Sequence, residues 1–118
     1  VCDVNTLSIL IRKRKVRVVD VRKEEEYVKE HIPGAVSLPL ARVLEKESPA
    51  HYIELLQDIG VNEDLPLVTY DDTFGALAAR VAWTFQYVGH QHSTILEVTF
   101  VQWKNMGFRT ENKLNSYK

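Results

Sequence analysis

The feature that most constrains the fold is a ten-residue stretch, 67–76, that changes from strand to helix and reads LVTYDDTFGA. Its first four residues form a short apolar, β-branched and aromatic run that is typical of a buried strand. From Gly75 to Val88, apolar residues recur every three to four positions, which predicts an amphipathic helix. The chain therefore passes from strand to helix within one short loop.

A turn of this kind lies at the carboxyl edge of an open parallel sheet. The backbone N–H groups at the helix start converge there and the helix dipole is positive, so this edge favours an anion. An acid, Asp71, is the first residue of the loop, and the loop continues through Asp72, Thr73, Phe74, Gly75 and Ala76. We therefore take residues 71–76 as the candidate functional loop.

Composition narrows the class of protein. The chain has 118 residues, of which 45% are apolar, and a net charge of −1, so it fits one globular domain and has no overall attraction for nucleic acid or membranes. The single cysteine, Cys2, allows no internal disulfide and is consistent with a reducing compartment. No segment approaches the roughly 20 consecutive apolar residues of a membrane helix. We expect a cytoplasmic protein that binds neither nucleic acid nor a membrane.

Strand and helix patterns alternate along the chain. Strands are predicted at 16–21, 35–40, 67–70 and 93–97. Helices are predicted within 3–15, 23–30, 48–60, 75–89 and 100–107, the first of them capped by Asp3 or Asn5. This order predicts an α/β domain with a mostly parallel sheet, right-handed crossovers and helices on both faces. Trp83 and Trp103 lie on apolar helix faces and are predicted to be buried.

Three polar clusters have simple structural interpretations. The basic run 12–17 is typical of a solvated helix end, although a docking patch for an acidic partner is the alternative. His90 and His92 are spaced like a pair of metal ligands, but no further ligands lie nearby in the sequence. Acids at two strand ends, Asp20 and the pair at 71–72, could also hold a hard cation. We predict no metal and no cofactor.

Several short segments together resemble a rhodanese domain. They are VVDVR at 18–22, HIPGA at 31–35, YDD at 70–72 followed by AAR at 78–80 and Trp83, GH at 89–90, and Trp103. The match runs from about residue 3 to residue 110 in the order and spacing of the family. The resemblance implies a rhodanese-like domain over 1–110, with a central five-stranded, mostly parallel sheet, and a polar tail or linker at 111–118. One departure is Glu97-Val98-Thr99, where the family usually has Asp-Gly-Gly.

The segments around residue 71 more narrowly resemble the non-catalytic, amino-terminal half of tandem-domain thiosulfate and 3-mercaptopyruvate sulfurtransferases. In the catalytic half, the family has a cysteine where this chain has Asp71, and its thiolate carries a sulfane sulfur as a persulfide to an acceptor such as cyanide. A carboxylate can occupy the same N–H cradle, but it cannot form a persulfide and it repels thiosulfate. We therefore predict no catalytic residue in this domain and no sulfurtransferase activity of the domain alone.

Four further residues are candidates for supporting or anion-binding roles. Asp20 and Arg22 flank a strand end, where an ion pair that orients the 31–35 turn is the simpler interpretation. The resemblance implies that Asp20 and His31 match residues proposed to support a serine supplied by a second domain. Arg80, in the helix after the loop, could reach an anion, but pairing with a neighbouring carboxylate is the simpler expectation.

The resemblance implies a role in which the domain packs against a catalytic rhodanese domain and forms one wall of its cleft. A stand-alone protein-binding module, as in some phosphatases and ubiquitin proteases, is one alternative. An active sulfurtransferase that uses another thiol, such as Cys2, is a second alternative, and only then would a small sulfur anion be a ligand. Pairing with a second copy of this chain would cover an apolar face left exposed by a missing domain.

Overall fold

The computed structural model describes residues 1–117, in which one parallel sheet is covered by helices on both faces. The strands are β1 (Arg17–Asp20), β2 (Val36–Ser37), β3 (Leu67–Tyr70) and β4 (Ser93–Ile95), in the spatial order β2-β1-β3-β4. The helices are α1 (Val4–Arg12), α2 (Glu24–Lys29), α3 (Leu40–Val43), α4 (Pro49–Asp58), α5 (Ala76–Tyr87) and α6 (Phe100–Asn105). The predicted α/β class is confirmed.

The predicted number of five strands is wrong, because the described part of the chain forms a sheet of four. At the outer edge of β4, only one residue, Cys2, makes a parallel bridge, with Leu96. The next residue, Asp3, already caps α1 by accepting a hydrogen bond from the Thr6 N–H (2.7 Å). The chain turns into a helix at once, so no fifth strand can extend.

The second predicted strand, 35–40, shortens to the two residues of β2, and α3 follows it directly. Pro39 lies at this boundary as the residue before α3. It has no N–H to donate to a strand ladder, and its fixed φ suits the entry to a helix. The sequence pattern had given no sign of α3.

The core consists of two apolar clusters, one on each face of the sheet. Alternate residues of β1 point to opposite faces, as the two-residue period of a strand requires: Val18 joins one cluster and Val19 the other. The first cluster packs α1 and α6 against the sheet through Leu7 and Trp103. The second packs α4 and α5 through side chains that include Leu55 and Phe85. This arrangement fixes the sheet between two helical layers.

Of the two tryptophans expected in the core, only one is there. Trp103 is buried and donates its indole N–H to the Arg109 carbonyl (2.9 Å). Trp83 is 66% exposed, so that prediction is wrong. The buried face of α5 is formed by Ala78, Ala79, Val81, Ala82 and Phe85. Trp83 lies on the other side of the helix, where Tyr87 is also exposed.

Residues 111–117 cross the domain and contact it at several points. Glu111 pairs with His31 through two backbone hydrogen bonds of 2.8 Å, and the Tyr117 hydroxyl donates to the Gly34 carbonyl (2.9 Å). The tail passes so close to Gly60 that a β-carbon there would lie 1.7 Å from the Tyr117 carbonyl oxygen. The division into a domain at 1–110 and a tail or linker at 111–118 stays a prediction, and Lys118 lies outside the described residues.

No helix of residues 1–117 is both long and apolar enough to cross a bilayer.

Candidate functional site

The loop between β3 and α5 is wrapped around the carboxylate of Asp71, which is 1% exposed. Its Oδ1 accepts hydrogen bonds from the N–H groups of Thr73 (3.0 Å) and Gly75 (2.9 Å). Its Oδ2 accepts from the Ala78 N–H (2.8 Å) and from the Thr73 hydroxyl (3.1 Å). Three backbone donors and one hydroxyl therefore converge on a single side chain.

The backbone of the loop makes this convergence possible through two successive residues in the left-handed region. Phe74 has φ +57° and Gly75, the residue before α5, has φ +84°. The first is uncommon for a residue with a β-carbon, and glycine adopts the second without strain. The bend directs the N–H groups inward to Asp71 and leaves the Phe74 side chain 97% exposed at the tip of the loop.

The cradle formed by these N–H groups is an anion site that the chain itself fills. Donors at a helix start favour a negative charge, and a carboxylate that accepts several of them forms charge-assisted hydrogen bonds. The position at which an exogenous anion would meet the loop amides is therefore taken by Asp71. Ala76 begins α5 and donates its N–H to the Thr73 carbonyl (3.2 Å) rather than to the cradle.

At the end of the neighbouring strand β1, Asp20 and Arg22 form a buried ion pair. Arg22 donates to the Asp20 carboxylate from its backbone N–H, from Nε and from Nη2, the last at 2.7 Å. The Tyr70 hydroxyl donates to the same carboxylate (2.6 Å) and accepts from the Ile32 N–H (3.1 Å). Through Tyr70, this cluster is connected to the turn at 31–35.

The pKa values within the cluster follow from burial and from the shared charge of Asp20. Burial lowers the pKa of Arg22, but its hydrogen bonds to Asp20 and the nearby negative groups outweigh burial and raise it overall. Burial also raises the pKa of Tyr70 well above its ordinary value, and the adjacent Asp20 carboxylate adds to the shift. Arg22 is thus a fixed cation and Tyr70 a neutral hydrogen-bond donor.

Asp72 connects the cluster to the loop. Its Oδ2 lies 3.6 Å from Nη1 of Arg22, and its Oδ1 accepts from the Val101 N–H (3.1 Å) in the first turn of α6. The Arg22 guanidinium also lies over the ring of Phe100, 4.2 Å from its centroid. The guanidinium of Arg22 is therefore enclosed by protein groups, and Asp72 is bound to α6 and to Arg22.

His31 is fully buried, and its contacts lead away from Asp20. The Nδ1 atom lies 2.7 Å from the Tyr27 carbonyl, and Nε2 lies 3.3 Å from Oε2 of Glu111. The ring also stacks on Tyr27, with centroids 3.9 Å apart. Glu111 in turn accepts from the Gly34 N–H (2.9 Å). Within residues 1–117, His31 therefore holds the tail and makes no hydrogen bond to Asp20.

Arg80 and Cys2 lie outside the loop cradle. Arg80 is exposed on α5, and it forms no ion pair with any residue from 1 to 117. Cys2 is buried beside Leu96, and burial together with the charges of Asp3 and Glu97 raises its pKa. The thiol therefore stays protonated at neutral pH, and thiols react as thiolates.

The described residues contain no group of three or more His, Cys, Asp or Glu side chains arranged to hold a metal ion. His90 is buried, with Nε2 3.1 Å from the Leu65 carbonyl, and burial lowers its pKa. Its neighbour His92 is exposed.

Two features of the site were not foreseen from the sequence. One is the hydroxyl of Tyr70, which was assigned to a strand only by its apolar character. The other is the pair Glu111 and Asn115 in the tail; the Asn115 side chain donates to Glu111 (2.8 Å) and to the Ala35 carbonyl (2.9 Å). No local pattern identifies either, because Tyr70 contacts the distant Asp20 and the tail contacts the distant His31 and Ala35.

Comparison with known proteins places these observations in a family. The family model described as "Rhodanese-like domain" matches residues 3–106. Thiosulfate sulfurtransferase of Cricetulus griseus is 30% identical over 93 residues, which cover 70% of this chain and 31% of the relative. The 3-mercaptopyruvate sulfurtransferase of Mus musculus is 32% identical over 96 residues, which cover 73% and 32%. The chain thus spans about a third of the length of these curated relatives.

Solved structures agree in fold. SseA of Escherichia coli, whose description refers to 3-mercaptopyruvate sulfotransferases, superimposes with a TM-score of 0.86 at 21% identity, over 99% of this chain and 53% of that one. A human single-domain sulfurtransferase gives a TM-score of 0.70 at 21% identity, over 88% and 94%. At these identities the likeness concerns the fold alone.

Proposed function

Because the chain belongs to the rhodanese-like domain family and is related to thiosulfate and 3-mercaptopyruvate sulfurtransferases, we propose that it is a non-catalytic rhodanese domain. In this role it packs against a catalytic rhodanese domain and forms one wall of the cleft in which sulfur is transferred. The observation that carries the proposal is the Asp71 carboxylate, held in the loop cradle by four hydrogen bonds.

Sulfane transfer needs a thiolate in this cradle. The sulfur nucleophile attacks the outer sulfur of thiosulfate, a new S–S bond forms and sulfite leaves with the electrons of the old bond. An acceptor such as cyanide then removes the sulfur and restores the thiolate. A carboxylate oxygen cannot hold sulfur as a stable persulfide, and its charge repels thiosulfate and sulfite from the same position.

Cys2 does not replace the missing nucleophile. It lies in the apolar cluster beside Leu96, with its pKa raised by burial, and within residues 1–117 its thiol makes one hydrogen bond, to the neighbouring Asp3 carbonyl at 3.6 Å. Among the described residues, no backbone N–H donates to its sulfur, whereas three donate to Asp71. The chain therefore offers an anion cradle without a thiol and a thiol without a cradle.

The cleft-forming role is supported by the exposed surface next to the cradle. Phe74 projects from the tip of the loop at the carboxyl edge, 97% exposed. A large apolar side chain held outward by a strained backbone suits burial against a partner. The 93 and 96 matched residues are only 31% and 32% of these curated relatives, which leaves room in such proteins for a second domain.

The first test is the thiosulfate–cyanide assay on the purified domain, with a cysteine-bearing relative as the positive control. We expect no thiocyanate above background and no persulfide on Cys2. A mass increase of one sulfur atom on Cys2 after incubation with thiosulfate, together with turnover near that of the relative, would contradict the proposal.

The second test is the variant Asp71→Cys, which places a thiol among the loop amides. We expect thiosulfate-dependent persulfide at position 71, detected by mass spectrometry, even where turnover stays low. The control is Asp72→Cys, one residue away and outside the cradle, which should remain unmodified. If both variants or neither gains the sulfur, the cradle does not have the function that we assign to it.

A second candidate, a stand-alone protein-binding module, is favoured by the outer face of α5. Trp83 and Tyr87 are 66% and 77% exposed and border a groove of about 470 Å³ together with Tyr52 and Arg80. A rhodanese domain encoded downstream of Lys118 would favour the cleft-forming role. A stable homodimer in analytical ultracentrifugation, abolished by Trp83→Ala, would favour pairing through α5.

A cytoplasmic location is part of the proposal, and cell fractionation tests it.

A further inference from the structure

A cavity of about 620 Å³ lies at the amino edge of the sheet, opposite the edge that carries Asp71. It lies between the start of β1, the turn before β2 and the tail. Its walls include the apolar side chains of Ile11, Val16, Val18, Pro33, Leu65 and Leu114. The volume is in the range of small-molecule sites, which combine apolar walls with a few polar groups.

Three cations also line this cavity: Arg14, Arg17 and Lys113. None of them forms an ion pair with another residue of the described chain. The one carboxylate in the lining, Glu111, already accepts hydrogen bonds from the Gly34 N–H and the Asn115 side chain. Among the described residues, the lining therefore has three cations and one carboxylate, which leaves an excess of positive charge.

The guanidinium of Arg17 is the most buried of these cations, and part of it has no hydrogen-bond partner among the described residues. Its Nη2 donates to the Gly60 carbonyl (3.2 Å), and the group lies over the ring of Tyr117, 3.5 Å from the centroid. Its Nε is buried without an acceptor. Burial lowers the pKa of Arg17, which Tyr117 offsets only in part. A buried cation without a carboxylate is unfavourable, and an anion in the cavity would correct this.

Arg14 gives independent support from the backbone. It has φ +55° directly after α1, at the left-handed position that usually ends a helix with glycine. A side chain here costs free energy that glycine would avoid. This strained backbone places a guanidinium at the rim of the cavity. Residues with strained backbone dihedrals cluster at functional sites.

We propose that this cavity binds a small organic anion, a carboxylate or sulfonate group carried on an apolar body. Arg14, Arg17 and Lys113 bind the charged group, and the apolar walls take the body. Guanidinium groups suit this task because their planar N–H fork matches the oxygens of such anions. The site is separate from the Asp71 loop, so it does not depend on sulfur chemistry.

The test is a titration of the ¹⁵N-labelled protein followed by NMR, with benzoate and benzenesulfonate as probes. We expect saturable shifts of the amides of Gly34, Leu65 and Ser116, which line the cavity. Neutral benzamide should bind at least tenfold more weakly than benzoate, as measured from the shifts of the same amides. Inorganic sulfate alone should bind more weakly than benzenesulfonate. Equal affinity of benzamide, or the absence of saturable shifts with both anions, would overturn the proposal.

Two variants of equal charge separate the cavity from general electrostatics. Arg14→Gln should weaken benzoate binding roughly tenfold, the loss of about one charge-assisted contact. Lys13→Gln removes the same charge outside the lining and should leave the affinity within about twofold. Arg14→Gly removes the strain as well and should also weaken binding without lowering the urea midpoint, which excludes misfolding as the cause. An equal effect of the position-13 and position-14 variants would overturn the proposal.

Discussion

The carboxylate of Asp71 is expected to be one of the strongest single polar contributions to the stability of this domain. In Asp71→Asn the remaining oxygen can still accept from Thr73 and Gly75, at the positions now occupied by Oδ1. The new NH₂ group then faces the Ala78 N–H, which had donated at 2.8 Å to Oδ2. Two donors meet, and a buried N–H is left without an acceptor.

The size of the effect follows from these contacts. An unsatisfied buried donor costs about 1–3 kcal/mol, and two bonds lose their charge assistance at roughly 0.5–1 kcal/mol each, so we expect a loss of about 3 kcal/mol. With a urea m-value of about 1.5 kcal/mol/M, the unfolding midpoint should fall by roughly 2 M. Equilibrium urea unfolding, followed by tryptophan fluorescence and circular dichroism, measures it.

The neighbouring variant Asp72→Asn is the matched control. It makes the same change of charge, but the Asp72 side chain is 29% exposed, lies 3.6 Å from Nη1 of Arg22 and accepts one backbone hydrogen bond, from Val101. We expect it to lower stability by less than about 1 kcal/mol. If Asp71→Asn lowers the free energy of unfolding by no more than Asp72→Asn does, at an unchanged m-value, the loop hydrogen bonds to Asp71 do not stabilise the domain as described.

Three further predictions concern the tail and the buried ion pair. Burial raises the pKa of Glu111, but its hydrogen bonds and the nearby His31 favour the charged form and lower the pKa overall. The contribution of Glu111 to the free energy of unfolding is therefore fully present above its unfolded pKa of about 4.3, and it is lost as pH falls through its folded pKa. The difference in urea midpoint between the wild type and Glu111→Gln should shrink from pH 7 to pH 3, and a difference that grows would contradict this. Arg22→Lys should lower the free energy of unfolding in urea by about 1–3 kcal/mol, because the forked contacts of the guanidinium with Asp20 are lost. Arg42→Lys, at the exposed pair with Asp58, should lower it by less than about 0.5 kcal/mol. Gly60→Ala should displace the tail, since its methyl would overlap the Tyr117 carbonyl; faster trypsin cleavage of the tail checks this, and an unchanged rate would count against the close contact.

The parts of the fold that local pattern controls could be predicted from the sequence. The strand predicted at 67–70 from its apolar, β-branched and aromatic residues coincides with β3, in which all four residues are buried. The Asp3 cap was one of two alternatives, and the helix it begins was foreseen. The edge of the sheet was not predictable in this way. Whether Cys2 starts a strand depends on how soon Asp3 turns the chain into α1, which strand propensity does not report.

The sequence predicts which side of a helix faces the core only where the large apolar residues lie on one narrow face. In α5 small alanines fill the buried face, so Trp83 looked like part of the core although it is on the outside. Contacts between distant residues were beyond local pattern for a different reason. The carboxylate of Glu111 and the ring of His31 meet because the tail returns across the turn at 31–35, and nothing near either residue in the sequence records that path.

The geometry of the loop explains how an acid fits among the backbone N–H groups beyond β3. Three N–H groups converge on the space beyond β3 because of the backbone at Phe74 and Gly75, and they need a negative partner whether or not chemistry takes place. A thiolate or a persulfide meets that need only while it is ionised. The Asp71 carboxylate meets that need with oxygen atoms, which cannot carry a sulfane sulfur. An intact cradle filled by Asp71 is therefore what we expect under our proposal that the domain is non-catalytic and forms one wall of a partner's cleft.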